Sequence, residues 1–338
     1  QRNHPPPVLW GTGCKAERNS DDMTDVTTDQ RPTGRLWSGL IRSATDSNLA
    51  PIIAALVIVS VVLSFATPAF LTASNLTNIV TQSAVVGIAA IGATFVIITS
   101  GIDLSVGSNM ALSGMVGAIV ATTTGSGLLG IVAILIVASA VGAFNGASVV
   151  WLGLAPFIVT LAVMGMARGL TLQISQGQSV YGLPESLNWL GSSAIFDVKT
   201  SALVTVLLFV VAHFVLSQTS FGHNIYAVGG NAEAARLAGI NVRGVVFAAY
   251  VLAGITAGIA SIILIGRLDS ATPNAAMGTE LQVIAAVVIG GTSLFGGKGS
   301  MIGTLIGVLL IGVINNGLTL LNVSSFWVQF VQGALIFL

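Results

Sequence analysis

The sequence predicts an all-α polytopic membrane protein of about ten transmembrane helices with a degenerate internal repeat. Three observations carry this. The 338 residues are 54% hydrophobic and only 7% charged, with 40 glycines and a mean hydropathy of +0.93. Soluble domains carry about a quarter charged residues, so this chain cannot cover itself with a solvated surface. The charges are also uneven: residues 1–49 hold six Lys/Arg and six Asp/Glu, and the other 289 residues hold six of each. Finally, apolar runs recur along the chain between short polar punctuation. A net charge of zero offers no basic field for nucleic acid. The one cysteine, Cys14, excludes an intrachain disulfide framework.

Taken in order, residues 1–35 read as a disordered cytoplasmic leader. They contain no apolar signal segment, and Met23 is the expected native start, with residues 1–22 upstream of it. A membrane domain is expected over 36–338. A bilayer core of about 30 Å needs roughly 20 apolar residues per helix, which places spans near 50–66, 84–100, 105–123, 128–150, 157–174, 201–217, 245–265, 281–292, 300–316 and 323–338. The eighth is short enough to be partly re-entrant, and the tenth reads as truncated. Lys and Arg collect on the cytoplasmic side of membrane proteins. With the N-terminus inside, Arg31, Arg35, Arg42, Arg236, Arg243 and Lys298 fall inside, and Arg168, Lys199 and Arg267 outside. The outer loops are then 67–83, 124–127, 175–200 and 266–280. "SGIDLSVGS" echoes "GGTSLFGGKGS", and "NGASVVWL" echoes "NGLTLLNV", the basis for the repeat.

Asp103 is the only charged residue between Asp46 and Arg168. With Gly101 ending one helix and Ser105 opening the next, Asp103 reads as an N-cap accepting the N–H groups of Ser105 and Val106. A second reading stays open, because intramembrane carboxylates often line pathways or gates.

The longest polar stretch on the predicted inner side is 219–244. Asn231 suits an N-cap, Glu233 the first turn and Gly239 a left-handed C-terminal cap, which together define a short helix "AEAARLA". Ala234 and Ala235 permit close approach, and Glu233 and Arg236 lie one turn apart. Such a helix needs a partner surface, so a docking helix is favoured over a solvated loop.

"EAARLAG" resembles the EAA-x-x-x-G start of the loop by which ABC importer permeases grip their ATPases, without the later I-x-L-P part. "GIDLSVGSNMALSGM", "PFIVTLAVMGMARGL", "FGHNIYAVGGNAEAARLAGI", "ELQVIAAVVIGGTSLFGGKGS" and "NNGLTLL" occur in the order expected of ribose-type sugar ABC transporter permeases. The chain resembles that family over about residues 36–338. The resemblance implies an inner-membrane permease homodimer, a separate ATP-binding subunit, and a periplasmic or lipid-anchored sugar-binding protein. It implies import of a monosaccharide, ribose first, with another sugar or polyol (xylose, galactose, inositol, an autoinducer) as the alternative. It further implies coupling through Asn231, Glu233, Ala234, Ala235, Arg236 and Gly239, and a pathway along span five, with Phe157, Thr160 and Met164 as lining candidates.

Several motifs are set aside. "GGTSLFGGKGS" fails the phosphate-loop pattern, since Thr292 stands at the first glycine position and Gly299 follows Lys298. ATP is therefore expected on another chain. No catalytic set, cofactor or metal site is expected. His213 reads as an inter-helix hydrogen-bond partner. Arg168 reads as an interfacial anchor or a substrate contact, and Asn145, Asn315 and Asn316 as links between helices. Glu185, Asp197, Lys199, Arg267, Asp269 and Glu280 could form a charged docking rim. An ion-coupled carrier would need more intramembrane acids than Asp103 and Glu280. An intramembrane enzyme would need a nucleophile and base that are not found.

Overall fold

Lipid offers no hydrogen bonds to an exposed backbone, so apolar runs fold as helices that satisfy themselves. The computed structural model describes residues 49–195, 198–324, 327, 330, 333 and 334. The leader, Asp197 and most of the tenth expected span lie outside the described residues. Twelve helices occur within them: α1 Ala50–Ala66, α2 Ala73–Ile98, α3 Val106–Thr124, α4 Gly127–Trp151, α5 Pro156–Ser175, α6 Glu185–Ser192, α7 Thr200–Gln218, α8 Ser220–Gly230, α9 Ala232–Leu237, α10 Val242–Leu268, α11 Thr279–Ile289 and α12 Met301–Leu320. Four two-residue strands tie the connecting segments. β1 (Val180–Tyr181) pairs antiparallel with β4 (Ser270–Ala271), and β2 (Ala194–Ile195) with β3 (Val198–Lys199).

Seven of these helices, α2, α3, α4, α5, α7, α10 and α12, are long and apolar enough to cross a membrane. The chain is thus an all-α, multi-pass membrane protein. The apolar helices α1 and α11 are shorter, at 17 and 11 residues; eleven residues rise only about 16 Å, half a bilayer core.

α2 is the axis of the bundle. It is buried on nearly every side, with α7, α8, α10, α11 and α12 around it. A helix apolar all round belongs inside other helices. By contrast α1, α5 and α7 expose large apolar side chains such as Val62, Ile158 and Val210, as lipid-facing helices should. Small residues set the closest crossings. A Cβ on Gly254 would fall 2.4 Å from the Ala138 carbonyl oxygen of α4, and one on Gly307 2.0 Å from the Ala286 carbonyl oxygen of α11. The backbones therefore approach closely at Gly254 and Gly307.

The second expected span must be corrected. It begins at Ala73, not near 84, with Thr72 accepting the Asn75 N–H at its start. The stretch "ASNLTNIVTQS" is polar enough to read as a loop, yet Asn75, Thr81 and Ser83 of it are buried in the bundle. The Asn75 and Asn316 amides, both buried, bond each other reciprocally at 3.0 and 2.8 Å.

Candidate functional site

The break between α2 and α3 is a buried polar knot. α2 ends in a Schellman pattern, in which Ser100 N–H donates to Ile97 O at 2.9 Å and Gly101 N–H to Val96 O at 3.0 Å. The left-handed residue is Ser100 (φ 64°), not Gly101. Gly101 is needed for space instead, because a Cβ there would sit 2.8 Å from Tyr250 Oη and 2.9 Å from Val96 Cγ1. Asp103 is 5% exposed. Its Oδ1 accepts the Ser105 N–H at 2.8 Å and the Ser105 hydroxyl at 2.6 Å. The helix starts one residue later than expected, so Ser105 takes the N-cap position and no bond to Val106 forms. Asn145 Nδ2 then donates to Ser105 Oγ at 2.8 Å, and the Thr160 hydroxyl to Ile102 O at 3.1 Å. Asp103 thus anchors a knot that joins α2, α3, α4 and α5.

A prediction follows. Asp103→Asn keeps an oxygen acceptor and should retain the fold. Asp103→Leu strands two buried Ser105 donors at about 1–3 kcal/mol each. Thermal unfolding in detergent should rank wild type near Asn and well above Leu.

The 219–244 segment forms α8 and α9. Asn231 Oδ1 accepts the N–H groups of Glu233 and Ala234 at 3.1 and 2.9 Å. At the other end Gly239 (φ 84°) completes a Schellman motif, with Gly239 N–H to Arg236 O and Ile240 N–H to Ala235 O, both 3.0 Å. Ala235 is buried in the core with Ile240 beside it. Glu233 and Arg236 pair at 3.3 Å on the exposed face. Leu237, which sequence reasoning passed over, is 84% exposed at the end of α9.

Three chain segments interlock directly behind α9. Gly297 N–H donates to Ile98 O at 2.9 Å. Ser100 Oγ donates to Phe295 O at 2.9 Å and to Gly229 O at 3.4 Å. Tyr226 Oη donates to Gly299 O at 2.7 Å, and burial raises this phenol above its ordinary pKa, which keeps the donor protonated. The clasp therefore joins the C-terminal end of α8, the α2–α3 break and the glycine-rich 290–300 segment.

The remaining expected site residues scatter. Thr160 is fully buried and spent on Ile102, while Phe157 is 51% exposed on the outer face of α5 and Met164 half-buried. Arg168 is no free anchor, since its guanidinium donates to Pro273 O and Ala275 O at 2.8 and 3.0 Å. His213 is exposed, and its ring makes no hydrogen bond among the described residues. Of the rim candidates, Glu185 and Asp269 are exposed and Lys199 is half-buried. Asp269 accepts from Asn188. Glu280 instead turns inward, with its Oε2 buried. Arg267 lines a cavity between α2, α10, α11 and α12. No group of three or more potential metal ligands occurs among the described residues.

Comparison with known proteins fixes the family. The family described as branched-chain amino acid transport system / permease component matches residues 75–338. The ribose import permease protein of Escherichia coli strain K12 is 44% identical over 291 residues, 85% of this chain and 90% of that protein. The ribose import permease protein of Bacillus subtilis strain 168 is 43% identical, covering 83% of this chain and 88% of that protein. The xylose transport system permease protein of Escherichia coli strain K12 is 34% identical, covering 91% and 94%. No solved structure matches the chain. With the match spanning most of the bundle, the chain belongs to the family of monosaccharide ABC transporter permeases.

Proposed function

We propose that the chain is the permease subunit of a bacterial ABC importer that carries a monosaccharide, ribose first among them, across the inner membrane. Two copies would pair, a separate ATPase subunit would supply the power, and a sugar-binding protein would deliver the cargo. The N-terminus and α9 face the cytoplasm in this reading. The Arg236, Arg243 and Lys298 charges, which this orientation would put on the cytoplasmic side, support it. Ten spans remain the expected total, with α11 as a half-span and the tenth beyond Val323. The internal repeat is supported by its two breaks. α11 also ends in a Schellman pattern, Gly291 N–H to Val288 O and Thr292 N–H to Val287 O, as α2 does.

One observation carries the proposal. α9 is capped at both ends, seated on the core by Ala235, and turns Glu233, Arg236 and Leu237 outward. Six residues cannot hold a helix alone, so the investment in caps serves a surface that must keep its shape under load. The ATPase is the partner that this family requires there. Movement of α9 would pass through Gly229 into the clasp and on to the Asp103 knot. Among the rim candidates, Glu185, Lys199 and Asp269 would meet the binding protein. The expected result is that the cognate ATPase co-purifies with the intact chain and is lost when 232–238 is replaced by a glycine–serine segment. Co-purification undiminished by that replacement would refute α9 as the grip.

A further inference from the structure

We propose that the cavity between α2, α10, α11 and α12 is a monosaccharide-binding site held within a single subunit. Its volume is about 360 Å³, within the roughly 300–1,000 Å³ range of small-molecule sites. Gln82 and Ser83 of α2, Arg267 of α10, Gln282 of α11, and Asn315 and Thr319 of α12 line it. Val308 and Ile311 add an apolar wall, as the C–H face of a sugar ring requires.

Thr319 donates its hydroxyl to Asn315 O at 2.9 Å, but four of the lining polar side chains, Gln82, Ser83, Arg267 and Gln282, are unspent among the described residues. Buried hydroxyls on these helices ordinarily donate back to the carbonyl four residues earlier, as Thr81, Thr94, Ser113 and Thr205 do at 2.7 Å. Ser83 is 5% exposed, yet its Oγ has no partner among the described residues. A buried hydroxyl without a partner costs about 1–3 kcal/mol. Arg267 is half-buried and forms neither an ion pair nor a hydrogen bond among the described residues. The Gln82 and Gln282 side-chain amides are likewise unbonded among them. Gly312 keeps the space open, because a Cβ there would sit 2.0 Å from Ser83 Oγ.

The chemistry of the lining selects the ligand. Amides and hydroxyls donate and accept in equal measure, which suits a polyol. Among the described residues no carboxylate lines the cavity, and Arg267 repels a cation. Gln82 and Thr319 are exposed, so the cavity opens to the surface at the end of the bundle away from the clasp. Under the importer reading, on which the choice of sugar rests, this is the end where cargo arrives. The site would hold sugar inside each subunit before it reaches any path between subunits.

The test uses the full chain alone in nanodiscs. In a Cys14→Ser background, Ser83→Cys is labelled with a methanethiosulfonate reagent in the presence of D-ribose, D-xylose, D-galactose or myo-inositol. At ten times its Kd a bound sugar should slow labelling about tenfold by mass action. Gln282→Leu should abolish that protection, and the exposed Gln82→Ala should weaken it. Free labelling that no sugar slows, protection by inorganic phosphate alone, or a Cys at 83 that never labels would each overturn the proposal. ATP-driven uptake is measured in parallel. Uptake without protection removes the cavity and leaves the importer; protection without uptake does the reverse.

Discussion

Gly229→Ala is expected to abolish the folded, transport-competent protein. A Cβ at this position would fall 1.7 Å from the Ile98 carbonyl oxygen and 2.7 Å from the Gly297 nitrogen. Both neighbours are backbone, and each is fixed: Gly297 N–H already bonds Ile98 O. No side chain can swing aside to relieve the overlap. Overpacking typically costs about 1–3 kcal/mol where neighbours can shift, and this site lies at or beyond the top of that range. The clasp would have to open, which separates α8 from the α2–α3 break. Gly230→Ala is the matched control, because nothing lies within 4 Å of its added methyl. Monodisperse yield by size-exclusion chromatography and the unfolding midpoint should fall sharply for the first and little for the second. If both variants purify and melt like wild type, the clasp is not a structural joint.

The second large effect concerns docking. Leu237→Glu should weaken association with the ATPase about tenfold to a hundredfold. Burying a leucine side chain contributes roughly 1.5–3 kcal/mol, and each 1.4 kcal/mol is about a factor of ten in affinity. The fold should be untouched, since Leu237 makes no core contact at 84% exposure. By contrast Glu233→Ala removes only an exposed ion pair, for which about 0–1 kcal/mol is expected. Titrating the ATPase onto the permease in nanodiscs measures both. Equal affinities for wild type and Leu237→Glu would mean that α9 docks through other groups.

Much of this architecture could be read from residues alone. The caps of α9 follow from Asn231 and Gly239, because few residues accept two N–H groups or tolerate positive φ. The tight crossings at Gly254 and Gly307 follow from glycines four residues apart, Gly254 with Gly258 and Gly303 with Gly307, a spacing that lets helices pack closely. The start of α2 could not be read that way. Residues 73–83 carry Asn75, Gln82 and Ser83, and local polarity reads as a loop when the partners are 230 or more residues away. Asn316 as the partner of Asn75, and the cavity that Gln82 and Ser83 share with Asn315 and Thr319, become visible only once α2 and α12 are side by side. Asp103 was recognisable as a capping group, but its true partner set was not. Both of its bonds come from Ser105, which itself takes the N-cap position, and a one-residue shift of that kind lies within what local pattern leaves open. Leu237 was missed because a single leucine in a polar segment carries no periodic signal. Its exposure comes from Ala235, on the opposite face, being the residue that docks inward.

The most direct test of the central claim is sugar uptake by proteoliposomes holding the permease and its ATPase, with radiolabelled D-ribose and the binding protein outside. The account predicts accumulation that requires the ATPase and interior ATP, stops with vanadate, and survives an uncoupler. Accumulation without the ATPase, or accumulation that an ion gradient drives and an uncoupler abolishes, would contradict it.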